Sequence, residues 1–219
     1  MKKRIWISLF LLLVLSTYKI QADFNLIPDL SIKKIFVENN DIIDDKNIKK
    51  NLAFLYETNL FLLKTKNIKL KLNEIDFIES YEIKKIYPNK IKIKVFEKKP
   101  VAILIHKKNK LFFTSNGGTA NFIDLTEFKN LPMVFGDKKS FEIFYKQLIA
   151  INFPINEIKK FYLFESKRWD LITTKNQTIK LPINNYDQSL LNYLKLKDQV
   201  NFLKFKTFDY RINDQLILK

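Results

Sequence analysis

The sequence predicts an α+β protein with an N-terminal apolar helix, a β-α-α-β-β unit and a β-rich unit with flanking helices. An apolar run from Ile5 to Leu15 follows three cations at the N-terminus. Strand and helix periodicities then alternate over about seventy residues. After Pro100 the pattern changes to mostly short strands, which indicates a second unit.

The N-terminal segment predicts insertion into a membrane, with its cations on the cytoplasmic side and everything after about residue 22 exported. The stretch from Ile5 to Ile20 would be about 24 Å long as a helix, which is short of a hydrocarbon core of roughly 30 Å but workable with snorkelling flanks. Ile20-Gln21-Ala22 is also a tolerable cleavage site. The residues alone therefore leave a membrane anchor and a cleaved signal peptide open.

The first unit begins with a predicted strand from Ser31 to Val37. A helix capped by Asp44 or Asp45 follows. Its predicted buried face consists of residues at helical spacing: Ile48, Leu52, Leu55 and Tyr56. Thr65 is predicted to cap a shorter second helix that buries two aliphatic residues, Ile68 and Leu72.

Two strands complete the first unit, Ile78 to Ile86 and Lys90 to Glu97, joined by Pro88-Asn89. In the second of them branched apolar residues alternate with lysines, so the two sets face opposite sides of the sheet. We expect the lysines to face solvent and to guard an edge against unwanted pairing. Pro100 cannot donate to a ladder and predicts an edge or a domain junction.

The second unit is predicted from short apolar runs separated by turns. The predicted strands are Val101–His106, Lys110–Thr114, Lys160–Glu165, Trp169–Thr174, Thr178–Leu181 and Phe205–Ile212, with a turn at Asn116-Gly117-Gly118. The predicted helices are Lys139–Ile151 and Asp187–Val200.

The net charge of +16 raises the question of a nucleic-acid partner, but only three of the 39 basic residues are arginine. Arginine supplies the bidentate fork that clamps phosphates and reads guanine edges. Lysine, isoleucine and asparagine are overused together, as an AT-rich coding bias would produce. The charge therefore predicts a solvated lysine surface and no nucleic-acid partner.

Catalytic chemistry has few candidate residues. The chain has no cysteine, three glycines and one histidine, His106, which stands in an apolar run. This composition excludes thiol nucleophiles, disulfides and cysteine zinc sites, and it leaves no glycine-rich phosphate loop. We predict a protein that is not an enzyme and that has no catalytic residues, metal, cofactor or small-molecule substrate.

Several segments in order resemble one family. They are "SIKKIFVENN", "FIESYEIKKIYPNKIKIKVFEKKPVAI", "LPMVFG", "KRWDLITTKNQTIKLP" and "FKTFDYRINDQLILK". The chain resembles the bacterial cell-division family FtsQ, called DivIB in some lineages. The resemblance implies a cytoplasmic tail at 1–4, a transmembrane helix at 5–20, a linker at 21–31, a POTRA domain at 32–98 and an FtsQ-type β domain at 99–219.

The resemblance also implies a function: a scaffold of the inner membrane, crossing it once and facing the periplasm at the division septum. Its implied partners are FtsB and FtsL, with other divisome components, and its implied role is to help control septal wall synthesis. The means would be strand addition at the last strand of the β domain. Two departures stand out, a tail of only four residues and Asn176-Gln177 where the family turns on Asn-Gly, which predicts strain at Gln177.

By the same resemblance the partner surface lies on and after an Asp-x-Arg motif. The implied partner-binding residues are Asp209, Tyr210, Arg211, Ile212, Asp214 and Leu216, together with Arg168 on a neighbouring strand. Arg211 would pair with a partner carboxylate, and Ile212 with the run 216–218 would supply apolar contact. The alternative is that Asp209 and Arg211 only satisfy local groups. Trp169 is predicted to be a core residue.

Two other functions remain open at this level. POTRA domains also occur in outer-membrane assembly and secretion proteins, which handle polypeptides by edge pairing. A secreted basic protein that binds cell wall or nucleic acid is the second alternative, and it requires cleavage near Ala22.

Overall fold

The computed structural model describes residues 2–17, 30–106, 109–199, 204–212 and 215–219. The helices in these ranges are α1 Lys2–Thr17, α2 Asp45–Asn51, α3 Thr65–Asn73, α4 Lys138–Ala150 and α5 Tyr186–Leu196. The strands are β1 Lys34–Glu38, β2 Ile78–Ile86, β3 Lys90–Glu97, β4 Pro100–His106, β5 Asn109–Thr114, β6 Thr119–Asn121, β7 Met133–Phe135, β8 Ile158–Leu163, β9 Trp169–Thr173, β10 Thr178–Lys180, β11 Thr207–Asp209 and β12 Ile217–Leu218. The predicted α+β class is confirmed.

The N-terminal helix α1 begins three residues before the start of the span predicted at 5–20. It begins at Lys2 and ends at Thr17, and residues 18–20 lie outside the described residues. Within the described ranges, no helix has both the length and the apolar character that a membrane crossing needs.

The first unit is a three-stranded sheet in the order β1-β3-β2, with α2 and α3 packed on one face. The strand β3 is parallel to β1 and antiparallel to β2. Its residues Ile91, Ile93 and Val95 are fully buried against the helices, together with Ile68 and Leu72 of α3. The predicted apolar face of β3 is confirmed.

Some expectations for the first unit are wrong. Because β3 is the central strand, its lysines cannot guard an edge; instead Lys92 Nζ lies 2.6 Å from Glu38 Oε1 of β1. The residue before α3, Lys64, occupies the capping position predicted for Thr65. Tyr56 is exposed because α2 ends at Asn51, after which helical spacing no longer applies.

The second unit is a nine-stranded sheet in the order β12-β11-β10-β9-β8-β7-β4-β5-β6. Helices α4 and α5 cover one face, where Trp169 stacks on Phe144 at 4.8 Å between ring centroids. Trp169 is thus a core residue, as predicted. The strands β6, β7 and β12 were not predicted, because two or three residues are too few for alternation to show.

Gln177 is not strained, which contradicts the expectation from its turn. Asn176 alone takes the left-handed conformation there, with φ of 59°, and Asn tolerates that region. Gln177 is buried, its Nε2 donates to the carbonyl of Phe205 at 3.1 Å, and its Oε1 accepts from the hydroxyl of Tyr193 at 3.3 Å. The side chain therefore fastens the turn to the chain leading into β11.

The two sheets meet between the end of β3 and the start of β4 at Pro100. Phe77 of the first unit packs edge-on against Phe112 of β5, with ring centroids 5.9 Å apart. The carboxylate of Asp76 accepts a hydrogen bond from the amide of Asn121 in β6, and Lys98 Nζ donates to the carbonyl of Thr119 at 3.1 Å. The hydrophobic core of the first unit thus continues into the second sheet.

Candidate functional site

A row of charged residues crosses the sheet face opposite α4 and α5. Asp170 of β9 is in register with Lys180 of β10, which is in register with Asp209 of β11. Residues directly opposite in neighbouring strands share a face, so the lysine lies between two carboxylates. The row ends at Ile217 of β12, the register partner of Asp209.

Asp209 and Arg211 form a two-pronged ion pair. The carboxylate oxygens of Asp209 accept from Arg211 Nε at 2.8 Å and Nη2 at 2.6 Å, and also from the Arg211 amide at 3.2 Å. The hydrogen bonds from Arg211 hold the pKa of Asp209 below its usual value. Asp209 is buried, whereas the Arg211 side chain is 44% exposed. Asp209 therefore orients a guanidinium that faces solvent.

A second arginine lies over the first carboxylate of the row. Arg168 Nε donates to Asp170 Oδ1 at 3.1 Å, and its guanidinium stacks 4.5 Å from the centroid of the Phe164 ring. Burial raises the pKa of Asp170, although the nearby Arg168 opposes that effect. The pair holds Arg168 in a defined orientation beside the row.

Two hollows of about 450 Å³ each border this face and share Pro182, Asn184 and Asn185. Arg168 and Arg211 both line the first, although 43 positions separate them in the sequence. Tyr210, Ile212 and Leu216 line the second, together with the outer face of α5. Their walls are rich in amide and hydroxyl groups, which suits recognition of a polypeptide better than enclosure of a small apolar ligand.

The strand β11, which was predicted to be the last strand and an exposed edge, lies inside the sheet. It pairs with β10 on one side and with β12 on the other, so β12 is the outermost strand of the described residues at this end. Thr207 and Lys219 exchange both backbone hydrogen bonds, at 2.9 and 3.2 Å. Antiparallel pairing alternates, so the N–H and C=O of Leu218 point away from β11.

The opposite end of the sheet is closed by the first unit. Its outermost strand is β6, where Asp76 accepts the Asn121 amide and Lys98 donates to the Thr119 carbonyl. These side chains occupy backbone groups that an added strand would need. Of the two ends of this sheet, the one at β12 is the better suited to accept another chain.

The structure therefore brings most of the predicted partner-binding residues to one end of the second sheet. Arg168 and Arg211 share one hollow, and Tyr210, Ile212 and Leu216 line the other. Asp209 is buried beneath Arg211, and Asp214 lies outside the described residues.

Sequence reasoning missed two groups at this site. One is Lys180, which lies between the carboxylates of Asp170 and Asp209. The other is Asn192 of α5, whose Oδ1 accepts from the Tyr210 hydroxyl at 3.0 Å. Alternation along β10 could have placed Lys180 on the polar face beside Asp170. No local sequence pattern predicts the contact of Asn192 with Tyr210.

Comparison with known proteins gives consistent similarities. Residues 30–98 match the model of the POTRA domain of FtsQ type. The cell division protein FtsQ of Rickettsia typhi is 27% identical over 193 residues, covering 82% of this chain and 69% of the relative. The FtsQ of Rickettsia prowazekii is 26% identical over 185 residues, covering 82% and 68%.

One solved structure is also similar, the major extracytoplasmic domain of the cell division protein DivIB from Geobacillus stearothermophilus, in its trans isomer. It aligns with 48% of this chain and 96% of its own, at 11% identity and a TM-score of 0.34.

Proposed function

The chain belongs to the FtsQ/DivIB family of bacterial cell-division proteins, and on that premise we propose that it is a non-enzymatic scaffold of the divisome. It recruits partners of the FtsB and FtsL type, together with other divisome components, and so helps to control septal wall synthesis. One observation carries this proposal: the outermost strand β12 has outward backbone groups and lies beside an arginine that a buried aspartate orients.

The proposed topology is a single crossing of the inner membrane, with residues 1–4 in the cytoplasm and 5–20 in the bilayer. A linker at 21–31 leads to the POTRA domain at 32–98 and the β domain at 99–219, both in the periplasm at the septum. The match of the POTRA model to residues 30–98 supports the first domain. The cations ahead of an apolar run support the orientation.

The proposed binding mode is addition of a partner strand to β12. The outward N–H and C=O of Leu218 would pair with it, and main-chain bonds of this kind supply affinity without sequence specificity. Because β12 is only two residues long, it can form few main-chain hydrogen bonds with a partner strand. Stable binding therefore needs side-chain interactions beside β12.

The neighbouring side chains would supply those interactions. A guanidinium has five N–H donors, and two of those of Arg211 are bonded to Asp209. The rest of the group would bind a partner carboxylate at the rim. The exposed side chains of Ile212 and Ile217 would contact apolar partner residues.

Two substitutions test this binding mode. Leu218→Pro removes the outward amide while keeping the pairing of Thr207 with Lys219, and Arg211→Glu reverses the charge at the rim. In a pull-down with an FtsB-type partner, each is expected to weaken binding about tenfold or more. Lys139→Glu on the exposed surface of α4 makes the same change in charge and serves as the matched control. Unchanged binding in both variants, with the control also unchanged, would show that the site lies elsewhere.

A further inference from the structure

One end of the first unit gathers the segment through which the chain enters it, and we call it the proximal end. The amide of Leu60 donates to the carbonyl of Leu30 at 2.7 Å, which ties the loop 58–64 to the start of the described fold. The amide of Lys33 donates to the carbonyl of Asn89 at 2.8 Å, which adds the turn before β3. The other end of β3, about 25 Å away, joins the second sheet.

The proximal end exposes large apolar side chains side by side. Phe61 and Leu62 are consecutive and are 68% and 72% exposed, and Tyr87 in the neighbouring turn is 55% exposed. Lys85 Nζ donates to the carbonyl of Leu63 at 3.0 Å, which holds the loop against the end of β2. Neighbouring exposed apolar residues of this kind mark a surface that meets something other than water.

Lysines dominate the charge of the segment that carries these apolar residues, with Glu57 and Glu74 just outside it. Residues 58–73 contain four lysines and no acidic residue. Lys64 and Lys66 lie two and four positions after Leu62, and both are exposed. On α3, Leu70 follows Lys66 by four positions, so the two lie on one helix face, and Leu70 is 54% exposed. Apolar tips among cations are the pattern that binds anionic bilayer surfaces.

The chain length places this surface close to the N-terminal apolar helix. Only residues 18–29 separate Thr17, the end of α1, from Leu30 at the proximal end. Twelve residues span at most about 40 Å even when fully extended. If α1 lies in a bilayer, the first unit is held within about 40 Å of it, and the proximal end is where the connecting segment enters the fold.

We propose that the proximal end docks on the surface of the bilayer that holds the N-terminal helix, with Phe61 and Leu62 among the headgroups and Lys64 and Lys66 against anionic phosphates. This inference rests on the membrane anchor of the proposed function. Docking fixes the first unit against the membrane and so holds the β12 site at a set height above it.

The absence of cysteine from the chain permits a direct test on the full-length protein. Leu62→Cys receives an environment-sensitive fluorophore, and the protein is reconstituted in vesicles of equimolar phosphatidylcholine and phosphatidylglycerol. Ile143→Cys, on α4 and 56% exposed, is the matched control. The probe at 62 is expected to shift to the blue and to be quenched several-fold more strongly by nitroxide lipids than the probe at 143. Adding Lys64→Glu and Lys66→Glu is expected to reduce that quenching at least twofold.

The possible outcomes distinguish docking of the proximal end from anchoring of the chain by its N-terminal helix. Flotation of the same samples after carbonate washing shows whether the chain is anchored. A chain that floats while its Leu62 probe stays as water-exposed as the control overturns the docking alone. A blue shift without quenching by nitroxide lipids means that protein covers the patch, and this also overturns it. A chain that does not float removes the anchor and the docking together.

Discussion

Replacing Asp209 with Asn removes the charge that orients Arg211 but keeps nearly the same shape. In the native protein the carboxylate accepts three hydrogen bonds, two of them from the guanidinium. The side-chain oxygen of Asn can still accept a hydrogen bond from Arg211. Its NH₂ group would face Nη2, however, and two donors cannot form a hydrogen bond with each other. Binding to the FtsB-type partner is therefore expected to weaken as the guanidinium becomes free to rotate.

The loss in the free energy of unfolding can be estimated from the burial of Asp209 and Arg211. Hydrogen bonds to charged groups contribute about 1.5–3 kcal/mol. Arg211 is 44% exposed and can turn into water when its partner is lost, so the expected cost is about 1–2 kcal/mol. For a chain of this size that corresponds to a fall in Tm of about 2–8 °C.

The pH dependence of the stability lost in Asp209→Asn provides a second test of the ion pair. Because Arg211 lowers the folded-state pKa of Asp209, the stabilisation is complete above the unfolded-state pKa of about 3.9 and is lost as the pH falls through the folded value. Thermal unfolding of the two proteins in mild detergent should differ at pH 7 and converge in acid. Asp124→Asn, at an exposed aspartate, is the control and should show no difference. Equal stability at pH 7, or a gap that persists undiminished in acid, would refute the role given to this pair.

Two further substitutions, one of them with a matched control, test the packing of the second unit. Gln177→Gly should lower the free energy of unfolding by about 1–3 kcal/mol in urea titrations, because it deletes the buried hydrogen bonds to Phe205 and Tyr193. The control Asn176→Gly should leave the free energy of unfolding nearly unchanged. A Gln177→Gly variant that is more stable than the native protein would contradict this prediction. Gly136→Ala should cost about 1–3 kcal/mol by the same measurement, since the new Cβ would lie 2.9 Å from the Cβ of Leu163, and an unchanged midpoint would show that the strand yields.

The sequence predicted best where periodicity was long and unbroken. The bounds of β2 and β3 match their predictions residue for residue, because alternation over eight or nine positions leaves one register. The prediction failed at β12, because a strand of two residues is too short to show an alternation of apolar and polar side chains. For that reason the exposed edge was assigned to β11, whereas it lies at the neighbouring strand β12.

The site shows the same division. The motif around Arg211 was found from its local resemblance, but its approach to Arg168, 43 positions away, arises from the register of β9, β10 and β11. Gln177 was misjudged because its stability depends on Phe205, 28 positions away, and no turn statistic contains that contact.

The central claim is that this chain recruits its partner through the β12 edge at the division site. The most direct measurement images a fluorescent fusion of the chain together with a differently labelled FtsB-type partner in dividing cells, with the native residue or Leu218→Pro. We expect both forms of the chain to gather at mid-cell and the partner to join only the native form. A partner that reaches mid-cell equally well with Leu218→Pro, or a native chain that never concentrates there, would contradict it.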